Sequence, residues 1–232
     1  QLRIEPNVQN AMLQFKKLEN VKQDSYSINV AGRITISYSS DASCYYAMTS
    51  LMQLMKRNEN GLSLPTCFVK DYPNFQWRGL HLDVSRHFFT VEEIKRFIDL
   101  MSYYKFNTFH WHLTDDQGWR IEIKKYPKLT EIGAWRDSTV DNHYTTVPRT
   151  YTKARYGGFY TQEQIKDVVA YAEAKYVTIV PEIEMPGHAR AALAAYPEYS
   201  CTGKAQGVEG LWGIFDDIFC SKPSSIQFLK DI

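Results

Sequence analysis

Apolar and polar positions follow one pattern in residues 1–72 and another from residue 73 onward. In the first part, the segments LRIEP, SYSINVAG and ITISYSS alternate apolar and polar side chains, as half-buried strands do. From Ala42 to Met55 the apolar positions recur every three or four residues, which predicts a helix. LPTCFVKDYP then predicts another strand, which Pro73 ends. Strands followed by one helix predict a small α+β layer with a structural role.

From residue 73 the chain alternates between buried strands and amphipathic helices. GLHLDVS, FNTFHWHL and VTIVPEIE are apolar in the way of strands in a parallel sheet. VEEIKRFIDLMSYY has helical periodicity, and Thr90 before it forms a capping box with Glu93, the third residue of the segment. TQEQIKDVVAYAEAKY has the same periodicity, and Thr161 pairs there with Gln164. Alternating strands and helices predict an α/β fold with a parallel sheet.

Three βα units are only part of a (β/α)8 TIM barrel, which needs eight strands and about 250 residues. Three parallel strands by themselves leave an edge and an inner face uncovered. We therefore expect residues 1–72 to form a small α+β domain and residues 73–232 to form the N-terminal part of a barrel. The remainder of the barrel is expected in the same protein or in a second chain.

Composition narrows the class of protein. The chain is 44% hydrophobic and 23% charged, which is typical of soluble globular proteins. Its net charge of +1 gives no electrostatic case for binding nucleic acid or an anionic membrane. No apolar run approaches the ~20 residues of a membrane span. The chain opens on Gln1 without a signal-like segment, so we expect a mature or trimmed form.

Charged side chains follow each of the three predicted barrel strands. In a βα barrel the loops at that end of the strands converge on one mouth, where the active site lies. Three clusters at three successive strand ends therefore predict a functional site. The clusters are Arg86 after the first strand, Asp115 and Asp116 after the second, and Glu182, Glu184 and His188 after the third.

Residue types alone leave two readings of these clusters open. The adjacent carboxylates Asp115 and Asp116 can share a proton for acid–base work, or can belong to a solvated loop in which Asp116 caps a turn. Arg86 can bind hydroxyls or a carboxylate of a ligand, or can form a structural salt bridge with Asp83 or Asp115.

His110 and His112 fall on one face of their strand, which is also the arrangement of a metal pair in metal-dependent barrel hydrolases. A hydrolase of that kind would use them together with His188. The other reading is a pair of histidines hydrogen-bonded inside the barrel. We favour the second reading and expect no metal, because no clear set of further ligands is evident.

The cysteines Cys44, Cys67, Cys201 and Cys220 do not form a C-x-x-C pair, and their gaps are too wide and irregular for a zinc module. Cys201 and Cys220 flank a glycine-rich segment. A disulfide closing it would stabilise the fold by roughly 3 kcal/mol on the chain-entropy model, but spacing alone leaves the pairing open.

Three long blocks carry a family resemblance. FQWRGLHLDVSRHF, HWHLTDDQGWR and PEIEMPGHARAAL, in this order, resemble the signature blocks of family 20 glycoside hydrolases, the β-N-acetylhexosaminidases. The first unit, with DASCYYAMTSLMQLM and LPTCFVKDYP, resembles the small domain that precedes the barrel in that family. The resemblance covers nearly the whole chain. It implies cleavage of terminal β-linked N-acetylglucosamine or N-acetylgalactosamine with retention of configuration, and no cofactor.

The resemblance also implies roles for single residues. The family uses the substrate's own acetamide oxygen as the nucleophile, with one Asp holding the acetamide and an adjacent Glu as the acid and then the base. Arg86 matches the arginine that binds sugar hydroxyls, and Asp115 matches the carboxylate paired with His188 behind the acid. Asp116 and Glu184 are expected to support these residues without touching substrate. Cys201 and Cys220 match a disulfide of some members.

One departure bears on activity. The Asp-Glu pair of the family stands in a GGDE-like block after the fourth strand, and no GDE or HxGxDE string occurs in residues 1–232. We therefore expect these residues alone to be inactive, as part of a longer secreted, periplasmic or lysosomal enzyme. The alternatives are the metal-dependent hydrolase and a non-catalytic sugar-binding fragment in which Arg86, Asp115 and aromatic side chains hold sugar.

Overall fold

The computed structural model describes residues 12–59, 61–204 and 206–232. The strand predicted at LRIEP lies outside these residues. The chain forms two compact units, which divide between Arg78 and Gly79. No helix among the described residues is both long enough and apolar enough to cross a membrane.

The first unit contains a four-stranded sheet and one longer helix. Its elements are β1 (Leu13–Lys17), β2 (Tyr26–Ala31), β3 (Arg33–Tyr38), α1 (Asp41–Leu54), β4 (Lys56–Asn58), β5 (Gly61–Ser63) and β6 (Cys67–Asp71). The sheet order is β1-β3-β2-β6, with β1 parallel to β3 and the other neighbours antiparallel. The predicted strands and helix are β2, β3, α1 and β6. The pair β4 and β5 was not predicted, because its residues are exposed throughout and show no alternation.

The core of the first unit follows from the alternation in β2. Tyr26, Ile28 and Val30 are buried, while Asn29 and Ala31 between and after them are exposed. The buried face packs against side chains of α1, as the amphipathic pattern of that helix predicts. This cluster of buried residues comprises Tyr26, Ile28, Val30, Ile36, Tyr46, Ala47 and Leu51.

The second unit carries the α/β alternation. Its longer elements are β7 (Gly79–Asp83), α2 (Val91–Tyr103), β8 (Thr108–His112), α4 (Gln162–Glu173), β15 (Thr178–Glu182), α5 (Arg190–Ala195) and α6 (Pro223–Asp231). Between β8 and α4 lie β9 (Thr114–Asp115), β10 (Gly118–Trp119), α3 (Lys128–Glu131), β11 (Trp135–Arg136), β12 (Thr139–Val140), β13 (Tyr151–Thr152) and β14 (Tyr156–Gly157). These short strands form antiparallel pairs, β9 with β10, β11 with β14 and β12 with β13.

Strands β7, β8 and β15 form a parallel sheet in the order β15-β8-β7. Their register places Asp83, His112 and Glu182 side by side in one row. That row is the last residue of each strand, so the three βα loops start together. The sequence-predicted strand ends are therefore neighbours in space.

One face of β8 carries apolar side chains and the other carries histidines. Phe109 and Trp111 are buried in a cluster with Ile94 and Ile98 of helix α2. His110 and His112 alternate with them and therefore point to the opposite face of the strand. The two predicted capping boxes, at Thr90 and Thr161, are present and begin α2 and α4.

The C-terminal part of the second unit packs around aromatic side chains. Phe228 of α6 is buried against Phe219, Tyr199 and Tyr126. Cys201 and Cys220 form a disulfide across the segment between α5 and α6. That segment therefore has a covalent closure as well as an apolar anchor.

Candidate active site

Asp115 lies at the centre of the polar cluster at the strand ends. Its side chain is 0% exposed, and both carboxylate oxygens have partners. Oδ2 is 2.6 Å from Nη2 of Arg86 and 3.0 Å from Nε2 of His112. Oδ1 accepts the backbone N–H of Asp116 at 2.7 Å and is 3.2 Å from Nδ1 of His188. Side chains from all three strand ends thus meet at one carboxylate.

Arg86 is fixed by three acceptors. Its Nε–H donates to Oε1 of Gln117 at 2.7 Å, Nη1 donates to Oδ2 of Asp83 at 2.7 Å, and Nη2 pairs with Asp115. Both salt bridges considered for this arginine are therefore present. A guanidinium has five N–H groups, so these bonds leave one N–H on Nη1 and one on Nη2 in the described part of the chain. With its side chain 19% exposed, Arg86 is anchored and still reachable by a ligand.

Asp83 anchors the first loop as well as the guanidinium. Its Oδ1 accepts the backbone N–H groups of Ser85 at 2.9 Å and of Arg86 at 3.0 Å. Burial opposes ionisation of this carboxyl, but the hydrogen bonds and the charge of Arg86 outweigh it and lower the pKa of Asp83. The turn after β7 is thereby held in the conformation that presents Arg86.

Asp116 is buried, contrary to its reading as a residue of a solvated loop. Its side chain is 1% exposed. Both carboxylate oxygens have partners, since Oδ2 is 2.9 Å from Nδ1 of His188 and Oδ1 accepts the backbone N–H of Arg190 at the start of α5. Burial raises the pKa of Asp116, and the hydrogen bond to Asp116 raises the pKa of His188. The expected pairing of His188 with Asp115 is present at 3.2 Å, but the shorter contact of that imidazole is with Asp116.

The carboxylate of Glu182 contacts three histidines on one face of the parallel sheet. Its Oε2 is 2.6 Å from Nε2 of His110, 2.8 Å from Nδ1 of His112 and 3.8 Å from Nε2 of His81. His112 is therefore hydrogen-bonded to Glu182, and His110 lies within ion-pair distance of the same oxygen. His81 was not considered at the sequence level, although its position two residues before Asp83 puts it on the same face.

Three groups of side chains in the described residues could hold a cation, since their ligand atoms lie within 4.8 Å of one another. They are His81 with His112 and Glu182, His112 with Asp115 and Glu184, and Asp115 with Asp116 and His188. The trio considered for a metal-dependent hydrolase, His110 with His112 and His188, is not one of them. Glu184 stands beside Asp115 and His112, and burial raises the pKa of its carboxyl.

Two buried arginines hold the loops that carry the site. The side chain of Arg120 donates to backbone carbonyl oxygens of Val84, Ser85, Gln117, Ala134 and Gly158. Arg136 donates to the carbonyl oxygens of Arg86 and Gln117. Burial lowers the pKa of Arg120 to about 10, so its guanidinium stays charged at neutral pH. The sequence analysis assigned Arg120 no role, because backbone carbonyl partners leave no residue-type signal.

The segment closed by the disulfide returns to the same loops. The side-chain amide of Gln117 donates to the carbonyl of Leu211, and the backbone N–H of Glu209 donates to the carbonyl of Asp116. Trp212, which follows Leu211 in the chain, is half exposed, and its ring lies 6.0 Å from the guanidinium carbon of Arg86. An aromatic face beside a polar anchor is an arrangement that suits a sugar ring. Sequence reasoning did not single out Trp212.

Models of one protein family match almost the whole chain. The model of the glycosyl hydrolase family 20 catalytic domain matches residues 75–232, and the model of domain 2 of the same family matches residues 2–72. A beta-hexosaminidase of Porphyromonas gingivalis is 42% identical over 221 residues, which are 91% of this chain. A beta-hexosaminidase of Vibrio furnissii is 43% identical over 200 residues, or 85% of this chain. The chain spans 27% and 30% of the length of these two relatives.

Solved structures give the same likeness. A GH20 exo beta-N-acetylglucosaminidase of Vibrio harveyi, in complex with N-acetylglucosamine, has a TM-score of 0.83 and 40% identity, covering 97% of this chain and 35% of that one. The beta-N-acetylhexosaminidase of Bacteroides fragilis has a TM-score of 0.80 and 40% identity, covering 96% of this chain and 42% of that one. The predicted fold class, α/β with a small α+β domain before the first βα units of a TIM barrel, is confirmed. The chain belongs to glycosyl hydrolase family 20.

Proposed function

We propose that this chain is part of a β-N-acetylhexosaminidase, which removes terminal non-reducing β-linked N-acetylglucosamine or N-acetylgalactosamine. The observation that carries the proposal is the position of the Asp115 carboxylate between Arg86 and His188, within the segment matched by the catalytic-domain model. The names of the relatives support it, since they are hexosaminidases that match most of this chain.

Arg86 binds hydroxyl groups of the terminal sugar in this proposal. Its remaining N–H groups project from a guanidinium whose other bonds fix its plane, so little side-chain entropy is lost on binding. Trp212 stands close enough to present its ring to the apolar face of the same sugar.

Asp115 and His188 orient the general acid. Nδ1 of His188 faces the carboxylates of Asp115 and Asp116, and its Nε2 has no partner in the described part of the chain. An imidazole held in this way presents Nε2 in one direction, toward the carboxyl group that protonates the glycosidic oxygen. Asp116 contacts His188, and Glu184 lies beside Asp115. Burial raises the pKa of both of these carboxyls.

The reaction proceeds with retention and with help from the substrate. The acetamide oxygen attacks the anomeric carbon while the acid protonates the departing oxygen, and water then opens the oxazolinium-like intermediate. The Asp-Glu pair that holds the acetamide and supplies the acid has no counterpart string in residues 1–232. Residues 1–232 alone are therefore inactive in this proposal, and the remainder of the barrel, in the same protein or a second chain, completes the site.

Other partners follow from the same proposal. The substrate is a glycan ending in N-acetylhexosamine, and neither a cofactor nor nucleic acid takes part. The disulfide between Cys201 and Cys220 favours an oxidising compartment, in keeping with a secreted, periplasmic or lysosomal enzyme.

The test compares two chromogenic substrates of the full-length protein. We expect turnover of 4-nitrophenyl N-acetyl-β-D-glucosaminide, and no turnover of the matching β-D-glucoside, which has a hydroxyl in place of the acetamide. Successive fluorination of the acetyl group should slow the reaction stepwise, because it makes the carbonyl oxygen a poorer nucleophile. Equal rates on the two substrates would overturn substrate assistance. Binding of N-acetylglucosamine without turnover would favour a sugar-binding protein, and turnover by residues 1–232 alone would refute their inactivity.

A further inference from the structure

His112 lies between two carboxylates. Its Nδ1 is 2.8 Å from Oε2 of Glu182, and its Nε2 is 3.0 Å from Oδ2 of Asp115. The side chain is 7% exposed, so water has little access to either nitrogen. The imidazole therefore connects a carboxylate of the sheet face with the carboxylate at the centre of the site.

The hydrogen bonds fix where protons can be. An ionised carboxylate only accepts hydrogen bonds, whereas a neutral imidazole donates from one nitrogen and accepts at the other. With an acceptor at each end, both nitrogens of His112 must carry a proton. A neutral imidazole would instead require Glu182 or Asp115 to carry a proton and to donate it in a hydrogen bond to the ring nitrogen.

The other contacts of both oxygens disfavour a neutral imidazole. Oδ2 of Asp115 also receives Nη2 of Arg86 at 2.6 Å, and a guanidinium always needs an acceptor. Oε2 of Glu182 also lies 2.6 Å from Nε2 of His110. A proton placed on either oxygen would meet a second nitrogen at hydrogen-bond distance, so ionised carboxylates fit the geometry better.

We propose that His112 is a doubly protonated imidazolium that positions Asp115, with Glu182 as its counter-ion on the far side. The hydrogen bond from His112 fixes the plane of the Asp115 carboxylate, so that Oδ1 is directed at His188 while Oδ2 accepts from Arg86 and His112. The consequence for catalysis rests on the proposed function, but the charge of His112 does not.

The charges that face His112 agree with this assignment. The groups around the ring are Asp83, Asp115, Glu182 and Glu184 among the acids, and His81 and His110 among the bases. Burial opposes protonation of His112, but the hydrogen bond to Asp115 and the charges of Asp83 and Glu182 outweigh it, and the pKa of His112 is raised. Burial and the neighbouring His110 and His112 lower the pKa of His81, as expected beside a positive ring.

The direct test is nitrogen NMR of the full-length protein with ¹⁵N-labelled histidine. At pH 7 we expect both ring nitrogens of His112 at the chemical shifts of protonated imidazolium nitrogens. The signals are assigned by their loss in H112Q or, if that variant does not fold, by their through-space contacts to Leu113 in the unmodified protein. One ring nitrogen with the shift of an unprotonated imidazole nitrogen would overturn the proposal. The exposed His143 serves as the internal control, since its Nδ1 is hydrogen-bonded to the Thr145 hydroxyl and not to a carboxylate.

The kinetic test asks whether His112 acts through Asp115. We expect H112Q to lower kcat/KM for the N-acetylglucosaminide by roughly 10- to 150-fold, the factor that one hydrogen bond to a charged group supplies. In a D115N background the same change should cost less than about threefold, because the partner it positions is already altered. H110Q, which removes a bond to Glu182 but none to Asp115, should have a much smaller effect in both backgrounds.

The outcomes separate the two proposals. Equal losses for H112Q in the two backgrounds would mean that His112 has only a structural role, and would overturn its positioning role. If the unmodified protein hydrolyses no N-acetylhexosaminide, the proposed function fails, and the nitrogen spectrum still decides the charge of His112.

Discussion

Arg86 and Asp115, which follow different strands of the parallel sheet, form an ion pair with 2.6 Å between Nη2 and Oδ2. The carboxylate is fully buried, and the arginine side chain is 19% exposed. Such a pair links two βα loops at the point where the site is built, and neither loop can move without separating buried charges. The pair is therefore the structural link of the site as well as its proposed sugar anchor.

Removing the guanidinium should destabilise the protein markedly. R86M leaves the carboxylates of Asp83 and Asp115 short of a positive partner, and breaking a buried pair costs about 3–5 kcal/mol. We expect a loss in that range in the free energy of unfolding, measured by urea titration of the full-length protein. The control is K166M on α4, where the ion pair with Glu163 is exposed and 3.8 Å long, and where a change below about 0.5 kcal/mol is expected. Similar losses for both variants would contradict this account.

Arg120 should be irreplaceable even by lysine. A lysine keeps the charge but has three donors on one nitrogen, so it cannot replace the bonds that Nε, Nη1 and Nη2 of Arg120 make to five carbonyl oxygens. Carbonyl groups left buried without a donor cost about 1–3 kcal/mol each, so R120K should lose at least ~3 kcal/mol of stability. The matched control is R155K, where the arginine is exposed and lies over the ring of Trp135. A difference of less than about 1 kcal/mol between the two variants would refute the clamp role.

The contribution of His188 to stability should fall as pH rises. Its pKa in the folded state is raised above the ordinary value of 6.5, chiefly by the hydrogen bond to Asp116, although burial and Arg86 act against it. A histidine of this kind stabilises the fold fully below pH 6.5, and the stabilisation is lost as pH rises through the folded pKa. We expect the difference in urea midpoint between the unmodified protein and H188Q to be largest near pH 5.5 and to shrink by pH 9. A difference that grows with pH would mean that the shift has the opposite sign.

The disulfide should stabilise the segment between α5 and α6. Cys201 and Cys220 are 19 residues apart, and closing a loop of that length is worth about 3 kcal/mol on the chain-entropy model. We expect C201S/C220S to lose about 3 kcal/mol of stability, measured by thermal unfolding. A reducing agent should lower the stability of the unmodified protein and leave that of this variant unchanged. C44S/C67S changes the two free cysteines and should keep the response of the unmodified protein to the reductant. If C44S/C67S lost that response instead, the pairing would be refuted.

Chelation should leave activity unchanged. The proposed reaction uses the acetamide of the substrate and protein side chains, and both nitrogens of His112 are already engaged by carboxylates. We expect dialysis against EDTA to alter kcat/KM for the N-acetylglucosaminide by less than about twofold, a change of under ~0.5 kcal/mol. Loss of activity that zinc restores would favour the metal-dependent reading with His110, His112 and His188.

The sequence by itself determined the elements and the chemistry of their ends. Period-two alternation located β2 and β3, apolar runs located β7, β8 and β15, and helical periodicity located α1, α2 and α4, because these patterns are local properties of a strand or helix. Charged residues after consecutive strands indicated a site, because parallel strands bring those ends together. The blocks around Arg86, Asp115 and His188 also indicated the family, which the comparisons then confirmed.

Only the tertiary structure decided which atoms meet. Strand register placed His112 between Glu182 and Asp115, and the path of the loops brought Asp116 closer than Asp115 to His188. Backbone carbonyls gathered around Arg120, and a segment about 90 residues farther along the chain brought Leu211 to Gln117. These contacts depend on the relative positions of elements distant in the chain. Local periodicity carries no information on those positions, so no reading of single segments could have supplied them.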